Sequence, residues 1–405
     1  MSTREEKKAI RIIFVSHASR LEGAEMSMLQ IIEHLAQEKK IVPLVILPKS
    51  GPLENILINK NIQYIRAIRY PWWVEPTNIK KILLGPLKYF WNILSWYFIK
   101  SSVKSFNPDI VYINTLVSPF GSIIAKDLNI PKIWHAHEFI PQGLEKDYAF
   151  GRDWSLAKVA ESTAIIANSH AVMDDIAHYI PKYKQHIIYN GTNLVDFNFD
   201  KVKEKIIKTN YLSTHQINLV MIGYISKNKG QVTAIKALAE LRNKGINATL
   251  TLVGEVKKHQ GYDIKLNQLI SDLKIKDQIN MVGWKKNVAD FYEEANITLV
   301  CSRGEGFGKT IIESMALGTP VICSNTGGAK EIIEKVDSRL LFKEGDYKSL
   351  ESAIVHLMQD DSWYEIISKK GRQVVEENFD EELYVNKIYQ VICDVYDSKQ
   401  KILHS

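Results

Sequence analysis

The sequence predicts an α/β protein made of two doubly wound, Rossmann-like domains. Three observations carry this. Short apolar runs alternate with segments of helical periodicity, the pattern of a parallel sheet with crossover helices. The alternation starts afresh near mid-chain. The length, 405 residues, suits two domains of roughly 100–200 residues each. The 45% hydrophobic and 24% charged content is that of a globular chain with a buried core, which excludes a disordered or fibrous class.

In the first half, Ile10–Val15 reads as a buried strand, followed by a turn and a helix from about Ala24 to Gln37. Ile41–Leu47, Ile110–Ile113, Ile133–His135 and Ala164–Ala167 read as further strands. The second half opens with a strand at Ile217–Ile222 and a helix over Gln231–Leu241. Thr249–Val253, Ile279–Val282, Ile297–Cys301 and Pro320–Cys323 are its remaining apolar runs. The polar, lysine-rich stretch Asn198–Lys208 reads as the linker, which sets the domains at 1–195 and 210–380. A long helix at about 380–405 is expected to pack back on the first domain. Two such domains are expected to face each other across a ligand crevice at the carboxyl ends of their strands.

The three cysteines, Cys301, Cys323 and Cys393, are few and lack metal-ligand spacing, which fits a reducing compartment. Ile10–Val15 is too short for a signal peptide, and no apolar run reaches the length of a spanning helix. The expected location is the cytoplasm, with peripheral attachment to the inner face of the plasma membrane as a further reading. The net charge of +6 is concentrated in one segment. Between Lys60 and Phe106 there are eight lysines and arginines against Glu75 alone, with eleven aromatic residues. Leu87–Ser105 reads as a helix with Lys88, Asn92, Ser95, Ile99 and Ser102 on one mostly polar stripe. Two readings of it stand. It lies in an anionic membrane interface, or its tryptophans fill the core. Nucleic acid is not an expected partner.

The chemistry concentrates in Ser302–Glu313. Gly304, Gly306 and Gly308 form a loop between the end of a strand and a helix that begins near Lys309 and stops at Gly318–Pro320. Backbone N–H groups at such a junction bind phosphate. Two carboxylates, Glu305 and Glu313, flank it. Carboxylates repel phosphate but accept hydroxyl hydrogen bonds, so the ligand carries hydroxyls as well: Glu313 suits a ribose diol, Glu305 a sugar ring.

With its context this stretch resembles the signature of the retaining nucleotide-sugar glycosyltransferases of family four, which have the GT-B fold. The resemblance extends over Glu22–Glu25, Trp134–Glu138, Ala167–Ser169, Tyr189–Thr192, Gly223–Gly230, Val253–Gly254, Val282–Trp284 and Gly327–Gly328. It implies that Glu305 contacts the donor sugar and Glu313 the ribose. It places the backbone of Gly306, Phe307 and Gly308 at the sugar, and that of Lys309 and Thr310 at the diphosphate. Lys229 becomes the cation for the leaving diphosphate, and the segment at Trp284 covers the base. Gly23 lets the backbone approach phosphate, and His137 lies near the sugar's reacting face. Tyr224 stands where the family usually has an arginine, the second diphosphate clamp, and brings no charge. Glu22 stands where a second glycine is common.

The expected function is a metal-independent, retaining transfer of a sugar from a nucleotide-sugar. The donor is a UDP-sugar, carrying a hexosyl or N-acetylhexosaminyl group, because uridine is the commoner base in the family. The acceptor is a saccharide, a lipid-linked species or a cell-surface polymer. The nucleotide-sugar is a co-substrate, and no cofactor is expected. No Asp-x-Asp motif sits at a strand end, so protein cations are assigned the charge of the leaving group. Two alternatives stand: a sugar-nucleotide epimerase, and a non-catalytic nucleotide-sugar-binding or scaffold subunit of a glycosylation complex. Each featured residue also has an ordinary reading. His137 and His135 suit a packed core, Trp284 a surface position, Lys309 a solvated helix start, and Asn168 and Ser169 helix caps.

Overall fold

The computed structural model describes residues 9–68, 70–76, 84–140, 146–197, 199, 216–256 and 261–404. The stretch 198–208 read as the linker, apart from position 199, and Arg69, Lys80 and Lys81 of the basic segment lie outside these. The chain divides into two compact units. One comprises Met1–Gly191 with Glu382–Ser405, the other Thr192–Glu381.

The first unit runs β1 (Ile10–Ser16), α1 (Gly23–Gln37), β2 (Ile41–Leu47), α2 (Pro52–Asn59), β3 (Gln63–Arg66), β4 (Val74–Pro76), α3 (Gly85–Phe106), β5 (Ile110–Asn114), α4 (Phe120–Leu128), β6 (Lys132–Ala136), β7 (Lys146–Tyr148), α5 (Arg152–Ala160), β8 (Ala164–Ala167), α6 (His170–Ile176) and β9 (Gln185–Ile187). Among the described residues its parallel sheet has seven strands in the order β3-β2-β1-β5-β6-β8-β9. The central strands are apolar along their length because helices cover both faces. Ile12 and Phe14 turn toward Met28, Ile31 and Ile32 of α1, while Ile13 and Val15 turn toward Val103 and Phe120.

The second unit contains β10 (Ile217–Ile222), α7 (Gln231–Asn243), β11 (Ala248–Val253), α8 (Tyr262–Asp272), β12 (Ile279–Gly283), α9 (Ala289–Glu294), β13 (Ile297–Val300), α10 (Lys309–Ala316), β14 (Val321–Ser324), α11 (Gly327–Glu334), β15 (Leu341–Phe342), α12 (Tyr347–Met358) and α13 (Asp361–Asn378). Among the described residues six parallel strands lie in the order β12-β11-β10-β13-β14-β15. The terminal helix α14 (Glu381–His404) buries Tyr384, Val385, Ile388, Val391, Ile392 and Val395 in the first unit's core, against Phe14 and Tyr112.

In both sheets the strand order reverses beside the first strand, between β1 and β5 and between β10 and β13. Parallel crossovers are right-handed, so helices from the two directions of winding lie on opposite faces. Ligands bind in open α/β sheets at the carboxyl ends of strands, beside such a reversal. Ser16, Asn114, Ile222 and Val300 end the strands concerned.

Helix α3 departs from ordinary amphipathic design. The stripe containing Asn92, Ser95 and Ile99 faces inward, with Trp96, Val103 and Phe106. Asn92 tolerates burial because its amide donates to the carbonyls of Pro71, at 3.1 Å, and Lys88, at 2.8 Å. Leu87, Phe90, Trp91, Ile93, Tyr97 and Phe98 are exposed. The tryptophans therefore divide. Trp73 and Trp96 fill the core, Trp73 stacking on Trp134 at 5.8 Å, and Trp91 faces solvent.

Candidate functional site

In the second unit, the loop after β13 gathers most of the residues singled out from the sequence. Gly304 has φ 63° and Gly308 has φ 99°. Only glycine adopts such angles without strain, and they let the chain double back between Cys301 and α10. Gly306 and Phe307 are buried, Phe307 edge-on to Phe379 at 5.8 Å. Lys309 and Thr310 form the first turn of α10, whose N-cap residue, Gly308, supplies no capping side chain. The helix start therefore keeps amide donors and the positive end of its dipole available to an anion.

Glu305 and Lys229 meet here. Lys229 Nζ donates to Glu305 Oε2 at 2.8 Å, across 76 positions of sequence. Lys229 lies on a 3-10 turn, Lys227–Lys229, after β10. The Glu305 carbonyl accepts from Gly328 N at 2.9 Å, which ties the loop to α11. Burial alone would raise the Glu305 carboxyl, but the charge and hydrogen bond of Lys229, with a bond from Ser302, hold it below the usual range. Glu305 is thus anionic, and Lys229 is its counter-ion.

Glu313 sits on α10 and accepts a hydrogen bond from the hydroxyl of buried Tyr292 at 3.0 Å. Burial pushes its carboxyl up, opposed by Lys309 and the Tyr292 hydroxyl. Tyr292 orients the carboxylate and went unnoticed in the sequence, because a tyrosine in a short helix between two strands carries no motif. Tyr224 follows Gly223, and its carbonyl accepts from Gln231 Nε2 at 2.9 Å. Trp284 is 61% exposed beyond the end of β12. It packs into no core, as its surface reading anticipated.

The first unit places a second cluster at the ends of β1, β5 and β6. His137 Nε2 lies 2.9 Å from Asn114 Oδ1. The Asn114 amide donates to the carbonyl of Ala24 at 3.0 Å, so Oδ1 is an acceptor and His137 carries its proton on Nε2. Burial, then the charge of His17, pushes His137 down to about 3. It is a neutral imidazole whose Nδ1 is the acceptor. His135 is fully buried, within 2.7 Å of the Tyr112 hydroxyl, and its ring lies 3.9 Å from that of His137.

His17 joins this cluster. Its Nδ1 lies 2.8 Å from Glu25 Oε1, a carboxylate with no exposure. Burial lowers the His17 imidazole, but Glu25, Glu138 and Glu22 together raise it above its ordinary value. Glu138 accepts from Leu116 N at 2.8 Å. A histidine just past the first strand and an acid at the start of α1 were the available signals. Gly23 begins α1 with ordinary backbone angles, and a Cβ there would meet nothing within 4 Å. Neither its backbone nor its neighbours require glycine.

The second unit's loop can hold an anion at the start of α10 and hydroxyls at Glu305 and Glu313, and the first unit separately carries a neutral imidazole at His137. Comparison with known proteins gives the family. Residues 202–374 match the family described as glycosyl transferases group 1, and residues 21–196 match Glycosyltransferase Family 4. The chain is similar to the N-acetyl-alpha-D-glucosaminyl L-malate synthase of Bacillus anthracis, 25% identical over 58% of this chain and 61% of that one. It is also similar to the capsular polysaccharide biosynthesis glycosyltransferase CapM of Staphylococcus aureus, 30% identical over 48% of this chain and 50% of that one. The match thus spans between half and three-fifths of the length of these curated relatives. Among solved structures, Anabaena Alr3699/HepE in complex with UDP and glucose superposes with a TM-score of 0.75 at 20% identity, over 95% of this chain and 99% of that one. The sucrose-phosphate synthase of Thermosynechococcus elongatus gives 0.74 at 19% identity, over 96% and 100%. Two family matches that together span residues 21–374, with a gap of a few residues between them, and a fold shared across nearly the whole chain lead to one assignment: this protein belongs to the group 1, family 4 glycosyltransferases of GT-B fold.

Proposed function

We propose that this chain transfers a hexosyl or N-acetylhexosaminyl group from a UDP-sugar to a saccharide, lipid-linked or cell-surface polymer acceptor, with retention and without a metal ion. The observation that carries the reading is the Glu305–Lys229 pair beside the start of α10. When the bond from sugar to phosphate breaks, negative charge grows on the diphosphate. Lys229 and the first amides of α10 are fixed donors for that charge and need no reorganisation. Glu305 accepts sugar hydroxyls, and Glu313, oriented by Tyr292, accepts the ribose diol. The choice of uridine is supported by HepE, which is described in complex with UDP-glucose. The polymer acceptor is supported by CapM, whose name assigns it to capsular polysaccharide biosynthesis.

The test is a screen of UDP- and GDP-sugars, reading nucleotide release with and without saccharide acceptors, and the anomeric configuration of the product by NMR. UDP release that requires acceptor and yields a retained linkage is expected. Glu305→Ala should lower it by about 100-fold or more, since a lost transition-state contact of this kind is worth roughly 2.7–4 kcal/mol. Isomerised donor without transfer would establish the epimerase reading. Tight donor binding without turnover across the screen would establish the non-catalytic one.

The exposed face of α3 supports peripheral attachment to an anionic membrane. No helix of the described residues is long and apolar enough to cross a membrane. Leu87, Phe90, Trp91, Tyr97 and Phe98 are exposed, with Lys88 and Lys104 on the same helix. Such a surface partitions into the headgroup boundary through aromatic burial and attraction to anionic lipid. Co-sedimentation with vesicles of phosphatidylcholine and phosphatidylglycerol in equal parts is expected at low salt. The Trp91→Ser/Phe98→Ser variant should bind at least about tenfold more weakly, because burying one such side chain is worth about 1.5–3 kcal/mol. Absence of vesicle binding at low salt refutes the attachment.

A further inference from the structure

A cavity of about 420 Å3 lies within the second unit, and none of the residues assigned to the donor lines it. Among the described residues its walls carry four cations from four segments: Lys227 of the turn after β10, Lys236 of α7, Lys265 of α8, and Arg303 beyond β13. No carboxylate is among these described lining residues. Tyr262 and Cys301 supply less polar wall. Arg303 is held by Glu344 at 3.3 Å, and Lys236 sits 5.7 Å from the Tyr347 ring centre.

Four cations converge on one hollow, Arg303 sharing its charge with Glu344, and the positive field there favours an anion. The start of α7 adds to the field. A Cβ at Gly230 would lie 2.1 Å from the Cys301 carbonyl oxygen, so the helix start is pressed against the end of β13. Gly230, Val232 and Thr233 line the cavity, so the positive end of the α7 dipole lies in its wall. The volume falls within the range of small-molecule sites, roughly 300–1,000 Å3.

The position separates this cavity from the donor loop. Crossovers from β10 to β12 place α7 and α8 on one face of the sheet, and those from β13 to β15 place α10 and α11 on the other. One turn serves both sides. Lys229 reaches Glu305, while Lys227 lines the cavity, and Arg303 N donates to the Asn228 carbonyl between them at 2.8 Å.

We propose that this cavity is a second anion site, which takes a small molecule bearing a phosphate or diphosphate group. The proposal stands on the cavity's own residues and does not depend on the donor assignment. Two sources share this chemistry: a nucleoside diphosphate such as the product of transfer, and a phosphate ester without a base. The experiment is calorimetric titration of the full chain with inorganic pyrophosphate and, separately, with UDP.

Two pyrophosphate sites are expected in the wild type. Lys236→Ala/Lys265→Ala should weaken one at least tenfold and leave the other. Lys229→Ala should weaken the other alone. Lys276→Ala/Lys369→Ala, which removes the same charge from exposed positions that do not line the cavity, should change neither. Two UDP sites, one of them lost in Lys236→Ala/Lys265→Ala, identify a nucleotide source. A single UDP site beside two pyrophosphate sites identifies a ligand without a base. Absence from the wild type of any pyrophosphate site that Lys236→Ala/Lys265→Ala weakens, or equal weakening of it by the Lys276→Ala/Lys369→Ala control, overturns the proposal. Loss of only the Lys229-dependent site on a failed donor reading would leave the cavity site intact, so the two failures are distinguishable.

Discussion

Lys229→Ala should reduce turnover of the nucleotide-sugar by about 100- to 1,000-fold while costing the fold about 1 kcal/mol or less. The first figure is what a fixed donor aimed at developing charge contributes. The second is small because the Glu305–Lys229 pair is partly solvated, with side chains 18% and 35% exposed, and such pairs contribute little to stability. The disparity tests the assignment, since a merely structural lysine would affect both quantities modestly. The pair also predicts a pH signature. Lys229 holds the native Glu305 carboxyl below its ordinary value near 4.5. A depressed carboxyl contributes stability that is present above the unfolded pKa and lost as pH falls through the native one. In Lys229→Ala burial is left to raise that carboxyl, so the stability difference between wild type and variant should begin to fade as pH falls through the variant's raised carboxyl value and be lost below the wild type's depressed one. Urea melts across the acid range measure this, and a difference that persists unchanged to pH 3 contradicts the pairing.

This pair shows how far a sequence carries. Glu305 and Lys229 are 76 positions apart, and no local rule joins them. They were connected through the resemblance, and the fold supplies the reason: β10 and β13 are neighbours, so the residues beyond their ends converge. The strands themselves were legible because fully buried strands leave uninterrupted apolar runs. Helix α3 was legible as a helix but its orientation was not. Periodicity locates stripes and leaves open which one faces the core. There Asn92 and Ser95 go inward and Phe90 and Tyr97 outward, against hydropathy, because the Asn92 amide finds two carbonyls inside. Tyr292 and the His17–Glu25 pair escaped for another reason. Each acts by holding a neighbour that is close only in the folded chain.

Gly254→Ala should destabilise the second unit by about 3 kcal/mol or more and disturb the donor site from beneath. Gly254 has φ 154°, and an added Cβ would lie 1.9 Å from the Gly223 carbonyl oxygen and 2.6 Å from its carbon. Both obstructing atoms are backbone, so no side chain can rotate away. The surroundings are also pinned, since Gly254 N donates to the Gly283 carbonyl at 2.8 Å and Gly223 N to the Val253 carbonyl at 2.9 Å. Relief must come from separating the ends of β10 and β11. A strained backbone angle costs of order 1–3 kcal/mol, and overpacking adds about 1–3 kcal/mol. Gly245 separates these contributions. It also has a positive φ, 74°, but a Cβ there would meet nothing within 4 Å, so Gly245→Ala should cost only about 1 kcal/mol. Equal losses in denaturant melts would show that the contact with Gly223 is not the cause. The effect should reach the chemistry as well. Lys229 Cε lies 3.8 Å from where a Gly223 Cβ would stand, so the lysine stem rests on the residue that Gly254→Ala displaces. Nucleotide-sugar affinity should fall in Gly254→Ala even where the variant is still folded, and remain unchanged in Gly245→Ala.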